Sequence, residues 1–121
     1  MRKNLPKTIF CDIDGTLIKH EPPHMSCQDD YSPQLLEGTL EKIKEWDQKG
    51  YRIILTTGRR ESSRKMTEKH INSLGIIYDY LIMGIGGGDR VVINDRKPDS
   101  ERDTCYAINL TRNVGIKDVD I

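Results

Sequence analysis

The stretch IFCDIDGTLI, Ile9 to Ile18, decides how this chain is read. It opens apolar, places Asp12 and Asp14 one residue apart, and closes on Gly15-Thr16. Residues 7–13 (KTIFCDI) are rich in strand formers and too short for a helix. Strand side chains alternate between faces, so the two acids share a direction at the strand's end. Gly15 lets the chain turn sharply after them.

The chain alternates outward from that strand. Residues 17–32 are polar, contain Pro22 and Pro23 and lack periodicity, which predicts a loop. Ser32-Pro33 reads as a helix cap and first helical position. Leu36, Leu40, Ile43 and Trp46 or Asp47 follow at helical spacing, and Gly50 stops the helix. YRIILTT (51–57) predicts a second strand. RESSRKMTEKHINSL (60–74) predicts a polar helix with Met66, Ile71 and Leu74 inward and His70 in water, stopped by Gly75. YDYLIM (78–83), RVVIND (90–95) and CYAINL (105–110) predict third, fourth and fifth strands. The fold expected is α/β, a three-layer αβα Rossmann-like sandwich around a five-stranded parallel sheet buried on both faces.

The 121 residues suit one domain, 1–121. With one Phe and one Trp, its core must be aliphatic. Lys and Arg balance Asp and Glu at a formal net charge of zero, so no overall field draws nucleic acid or an anionic membrane. No apolar run approaches the roughly 20 residues of a membrane span. MRKNLPKTIF (1–10) lacks the apolar core and cleavage site of a signal peptide. Cys11, Cys27 and Cys105 share no CxxC spacing and read as buried, reduced thiols of a cytoplasmic protein.

In parallel α/β sheets, ligands sit beyond the carboxyl ends of the strands. Strand one ends in Asp12-Ile13-Asp14, strand two in Thr56-Thr57-Gly58-Arg59, and strand four in Asn94-Asp95 followed by Arg96-Lys97-Pro98. Three carboxylates in one crevice repel, and a divalent cation removes that cost. Carboxylates plus water are the ligand set of Mg²⁺, which leaves positions open for a phosphate. A Thr hydroxyl, loop amides and Lys97 suit the phosphate itself. One acid of the pair can attack phosphorus, and the other can serve as acid and then base.

DIDGT, TTGR and IND, in this order and each closing a predicted strand, resemble the motifs of the haloacid dehalogenase-like (HAD) superfamily. The resemblance covers nearly the whole chain and implies a Mg²⁺-dependent phosphatase with an aspartyl-phosphate intermediate. It implies Asp12 as nucleophile, Asp14 as general acid and base, and Thr57, Gly58 and Arg59 around the phosphoryl group. Asp12, Asp14 and Asp95 would hold the metal, with Asn94 behind them. The superfamily's lysine before the last acidic motif is missing from MGIGGGDR (83–90). Lys97 is the expected substitute, with Arg90 and Lys65 as rivals. Neither insertion point holds a cap domain, so the protein resembles the small capless phosphatases of capsule, lipopolysaccharide and other glycan synthesis. The expected partner is a small phosphorylated sugar, and an open site admits a homo-oligomer.

A nucleotidase or polynucleotide 3′-phosphatase fits an open site, though neutral charge and scarce aromatics argue against nucleic acid. A catalytically inactive HAD-like binding module would explain the missing lysine but has no use for both Asp12 and Asp14. A phosphorylation-receiver domain would place its acceptor acid at the end of the third strand, where Met83-Gly84 stand. His20, His24 and Cys27 are spaced too loosely for zinc and lack a fourth ligand. The glycine run 86–88 lacks the Lys-Ser/Thr of a phosphate loop and reads as a connection at the site's rim. Arg59, Arg60, Arg64 and Lys65 form a basic cluster that is either a solvated face or an anion-attracting rim.

Overall fold

In the computed structural model, residues 5–26, 28 and 30–121 are described. Cys27, and with it the zinc reading, lies outside them. Three parallel strands form the sheet in the order β1 (Thr8–Asp12), β2 (Arg52–Thr56), β3 (Tyr80–Ile82). Helix α1 (Pro23–Ser26) is a single turn in the first loop, α2 (Thr39–Gln48) joins β1 to β2, and α3 (Arg64–Ser73) joins β2 to β3.

Both crossovers step the same way across the sheet, and the right-handed rule then places both helices on one face. Burial follows that geometry. Ile9, Cys11, Ile53, Leu55 and Leu81 point to the covered face and form one core with Ile43 and Trp46 of α2 and Ile71 of α3. On the other face Phe10 is 59% exposed and Tyr80 63%. The described residues therefore build two layers, not the three expected.

The expected fourth and fifth strands are not part of this sheet. Residues 84–121 contain no helix or strand, β1 is an edge, and Val91, Val92 and Ile93 stand in water. Their strand-forming composition is real, but composition favours a strand only where a neighbour supplies the hydrogen bonds. The same segment leaves Cys105 exposed, whereas Cys11 is buried as expected, its thiol pushed up to about 12 by desolvation and by Asp12.

Helix α2 begins seven residues after the expected cap at Ser32. Residues 34–36 instead run alongside 17–19, with Lys19 N–H donating to the Gln34 carbonyl and Leu36 N–H to that of Leu17. The helix starts at Gly38, whose φ of 85° and contact with Lys117 leave no room for a side chain. The inward residues of α3 are Thr67, His70 and Ile71, with Met66 and Leu74 only partly covered. His70, expected in water, is 4% exposed.

Candidate active site

The carboxyl ends of β1 and β2 lie side by side, Asp12 opposite Thr56. After Asp12 the chain folds into a tight turn in which the Ile13 carbonyl accepts from the amides of Thr16, Leu17 and Ile18. Gly15 sits in this turn at φ 88°. The turn holds Asp12 and Asp14 at the sheet's end, as their one-residue spacing requires.

Asp12 faces solvent and accepts from the Thr16 hydroxyl at 3.2 Å. Its pKa is raised, first by partial desolvation and then by the Asp14 charge, while Thr16, the Ile13 amide and the charge of Arg90 oppose the rise. Asp14 is held by Arg59: Nη2 donates to Oδ1 at 2.7 Å and Nε to Oδ2 at 3.0 Å. Only 7% of the Arg59 side chain is exposed. Thr57, buried, donates to Asp14 Oδ2 at 3.4 Å and accepts from the Arg59 amide at 3.1 Å. A bidentate guanidinium–carboxylate pair fixes orientation as well as charge.

The glycine-rich segment forms the rim. Gly84 N–H donates to the Arg59 carbonyl and Ile85 N–H to that of Thr57. A Cβ on Gly58 would lie 2.7 Å from the Gly86 oxygen, so this close approach needs glycine. Arg90 folds back on the rim and donates to the carbonyls of Gly86 and Gly88. Across the site, Asn113 N–H donates to the Gly15 carbonyl, and Asn113 Oδ1 accepts from the His20 amide. Behind Arg59, its Nη1 donates to Thr67 Oγ1 at 3.2 Å, and His70 meets the Tyr31 ring edge-on at 5.3 Å.

The structure thus gathers Asp12, Asp14, Thr57, Gly58 and Arg59. It leaves Asp95 and Lys97 paired with each other at 3.0 Å on an exposed segment, because residues 90–95 do not join β1. Among the described residues, no three His, Cys, Asp or Glu side chains gather as a metal-binding group. Asp12 and Asp14 nevertheless carry the hard oxygen donors Mg²⁺ prefers. In the basic cluster Arg64 is occupied with Glu61, Glu68 and the Leu81 carbonyl, while Arg60 and Lys65 are exposed. Sequence reasoning missed Thr67 and His70. Their only signal was their place three residues apart on a helix already known to face the sheet.

An apolar parallel sheet thus ends in paired carboxylates beside a Thr-Gly-Arg turn. The family described as haloacid dehalogenase-like hydrolase matches residues 9–97, well over half the chain, and the protein belongs to it. Two solved chains from the Pnkp1/Rnl/Hen1 RNA repair complex are similar. One is 32% identical, covering 74% of this chain and 32% of that chain with a TM-score of 0.58. The other is 31% identical, covering 81% of this chain and 28% of that chain with a TM-score of 0.55. A Vibrio cholerae protein is 20% identical over 73% of this chain and 79% of that one, with a TM-score of 0.51, and shows the same fold. The chain spans about a third of the length of the RNA repair chains it matches. No curated protein matches it. No helix among the described residues is long and apolar enough to cross a membrane.

Proposed function

We propose that the protein is a Mg²⁺-dependent phosphomonoesterase working through an aspartyl-phosphate on Asp12. The observation that carries this reading is the pairing of an open Asp12 with an Asp14 gripped by Arg59 and Thr57 at the carboxyl end of the sheet. Asp12 Oδ attacks phosphorus, and the bond to the leaving oxygen breaks. Asp14 gives that oxygen its proton, then takes one from the water that hydrolyses the acyl phosphate. Thr57, the amide of Gly58 and the rim cation receive the phosphoryl oxygens. Mg²⁺ held by Asp12 and Asp14 would neutralise the charge that builds up there.

For the rim cation, Arg90 is better supported than Lys97. Arg90 lies on the glycine rim, bonded to the Gly86 and Gly88 carbonyls, and its charge is the smallest of the influences on Asp12, whereas Lys97 is engaged with Asp95. The third metal ligand, Asp95, belongs to the reading in which residues 90–95 and 105–110 add to the open edge of β1 and complete a five-stranded sheet. The exposure of Val91, Val92 and Ile93, together with an unpaired β1 edge, supports that reading.

A phosphorylated nucleic-acid end is the substrate class favoured, because the RNA repair chains share 31–32% identity over most of this chain. A sugar phosphate, implied by the capless motif pattern, is the second reading. Phosphate release from 3′-phosphorylated oligonucleotides, nucleotides and sugar phosphates tests the choice. A kcat/KM at least about tenfold higher for the oligonucleotide is expected, and the opposite preference returns the protein to glycan chemistry.

A further inference from the structure

Asp14 is aimed by Arg59, so whatever aims Arg59 also governs Asp14. The guanidinium spends Nε and Nη2 on the two Asp14 oxygens, and Nη1 turns away into the core to Thr67 Oγ1. Thr67 is fully buried, so no water replaces its hydroxyl. One turn further along α3, His70 is buried as well. It is 4% exposed, and neither ring nitrogen has a hydrogen-bond partner among the described residues. Tyr31 of the first loop lies edge-on against it.

A buried imidazole without partners costs free energy, and an aliphatic side chain would fill the space without that cost. Nor does a helix facing an aliphatic core need a Thr at position 67. Thr67 instead makes sense as part of a seat for a planar cation, an acceptor for its third edge.

We propose that Thr67 is a positioning residue of the phosphatase: its hydroxyl fixes the plane of Arg59 and thereby the orientation of the Asp14 carboxylate. The proposal rests on the phosphatase reading for its kinetic consequences, but its structural half stands apart from it.

The Val and Ser variants separate positioning from packing. Thr67→Val keeps the shape and removes the acceptor; Thr67→Ser keeps the acceptor and removes a methyl group. Thr67→Val is expected to lower kcat by about ten- to hundredfold, the loss of a hydrogen bond to a charged group, with KM nearly unchanged. Thr67→Ser is expected to retain most of kcat. In an Arg59→Ala background the Thr67→Val loss disappears. Full activity in Thr67→Val with loss in Thr67→Ser would make Thr67 a packing residue and overturn the proposal.

Wild-type protein that turns over no phosphomonoester would sink the phosphatase reading instead. The seat is then read by ¹⁵N NMR of the Arg59 Nε–H, which needs no turnover. A slowly exchanging signal in the wild type and Thr67→Ser, with exchange faster by about tenfold or more in Thr67→Val, supports the seat. Equal exchange in all three overturns it.

Discussion

At the residue scale, two carboxylates one position apart hold different environments. Asp12 is open, and its pKa is raised by partial desolvation and by Asp14. Asp14 is held on both oxygens by Arg59. The open carboxylate is the one free to meet phosphorus, and the held one is fixed in orientation by the bidentate guanidinium. The folded state binds the Asp12 proton more tightly than the unfolded chain, so the penalty for ionising Asp12 is absent below pH 3.8 and fully present above its raised folded value. In metal-free buffer at neutral pH, Asp12→Asn should therefore raise Tm while abolishing turnover; an unchanged or lower Tm in thermal melts contradicts the account of its pKa. The DxDGT pattern made both acids legible in the sequence. The cation was not, because Arg90 and Lys97 flank the Ile93-Asn94-Asp95 motif on either side and only their folded contacts separate them. Arg90→Ala should lower kcat/KM about ten- to hundredfold, with a smaller effect from Lys97→Ala. Steady-state kinetics showing the reverse order would return the role to Lys97.

At the element scale, α3 is the part whose sequence misled. Its polar composition points to a solvated face, yet Thr67 and His70 are buried, Thr67 against the Arg59 guanidinium and His70 against the Tyr31 ring. Periodicity reports where a helix turns its apolar side, and a polar recess does not register in it. The consequence is measurable. The His70 pKa is lowered from 6.5 by burial, then by the charges of Arg59 and Lys69, with Asp14 opposing. The unfolded chain takes up this proton more readily, so stability is level above pH 6.5 and falls as pH drops through 6.5 toward the folded value. Thermal melts across that window should show His70→Leu flattening the slope, and an unchanged slope would show that His70 stays hydrated. The start of α2 was misplaced for a related reason: Ser32-Pro33 is a sound local signal, but pairing of residues 34–36 with 17–19 overrides it.

At the scale of the whole molecule, the parallel sheet and the order of β1, β2 and β3 were legible because each strand is short, apolar and punctuated by Gly or Asp. Among the described residues the second helical layer was not found, since the two crossover helices, α2 and α3, belong to connections that step the same way. If residues 90–95 complete the sheet in solution, Ile93→Asp should destabilise the protein by about 3 kcal/mol or more in denaturant unfolding, as a charge placed in a core does. If Ile93 stays 94% exposed, the same change should be nearly silent. The central claim is that Asp12 and a divalent cation together hydrolyse a phosphomonoester. Its most direct test is phosphate release from a 3′-phosphorylated oligonucleotide and a sugar phosphate, with Mg²⁺ and with EDTA, for the wild type and Asp12→Asn. Release by the wild type that disappears with EDTA and with Asp12→Asn is the predicted result; release that persists in Asp12→Asn, or that ignores EDTA, would contradict it.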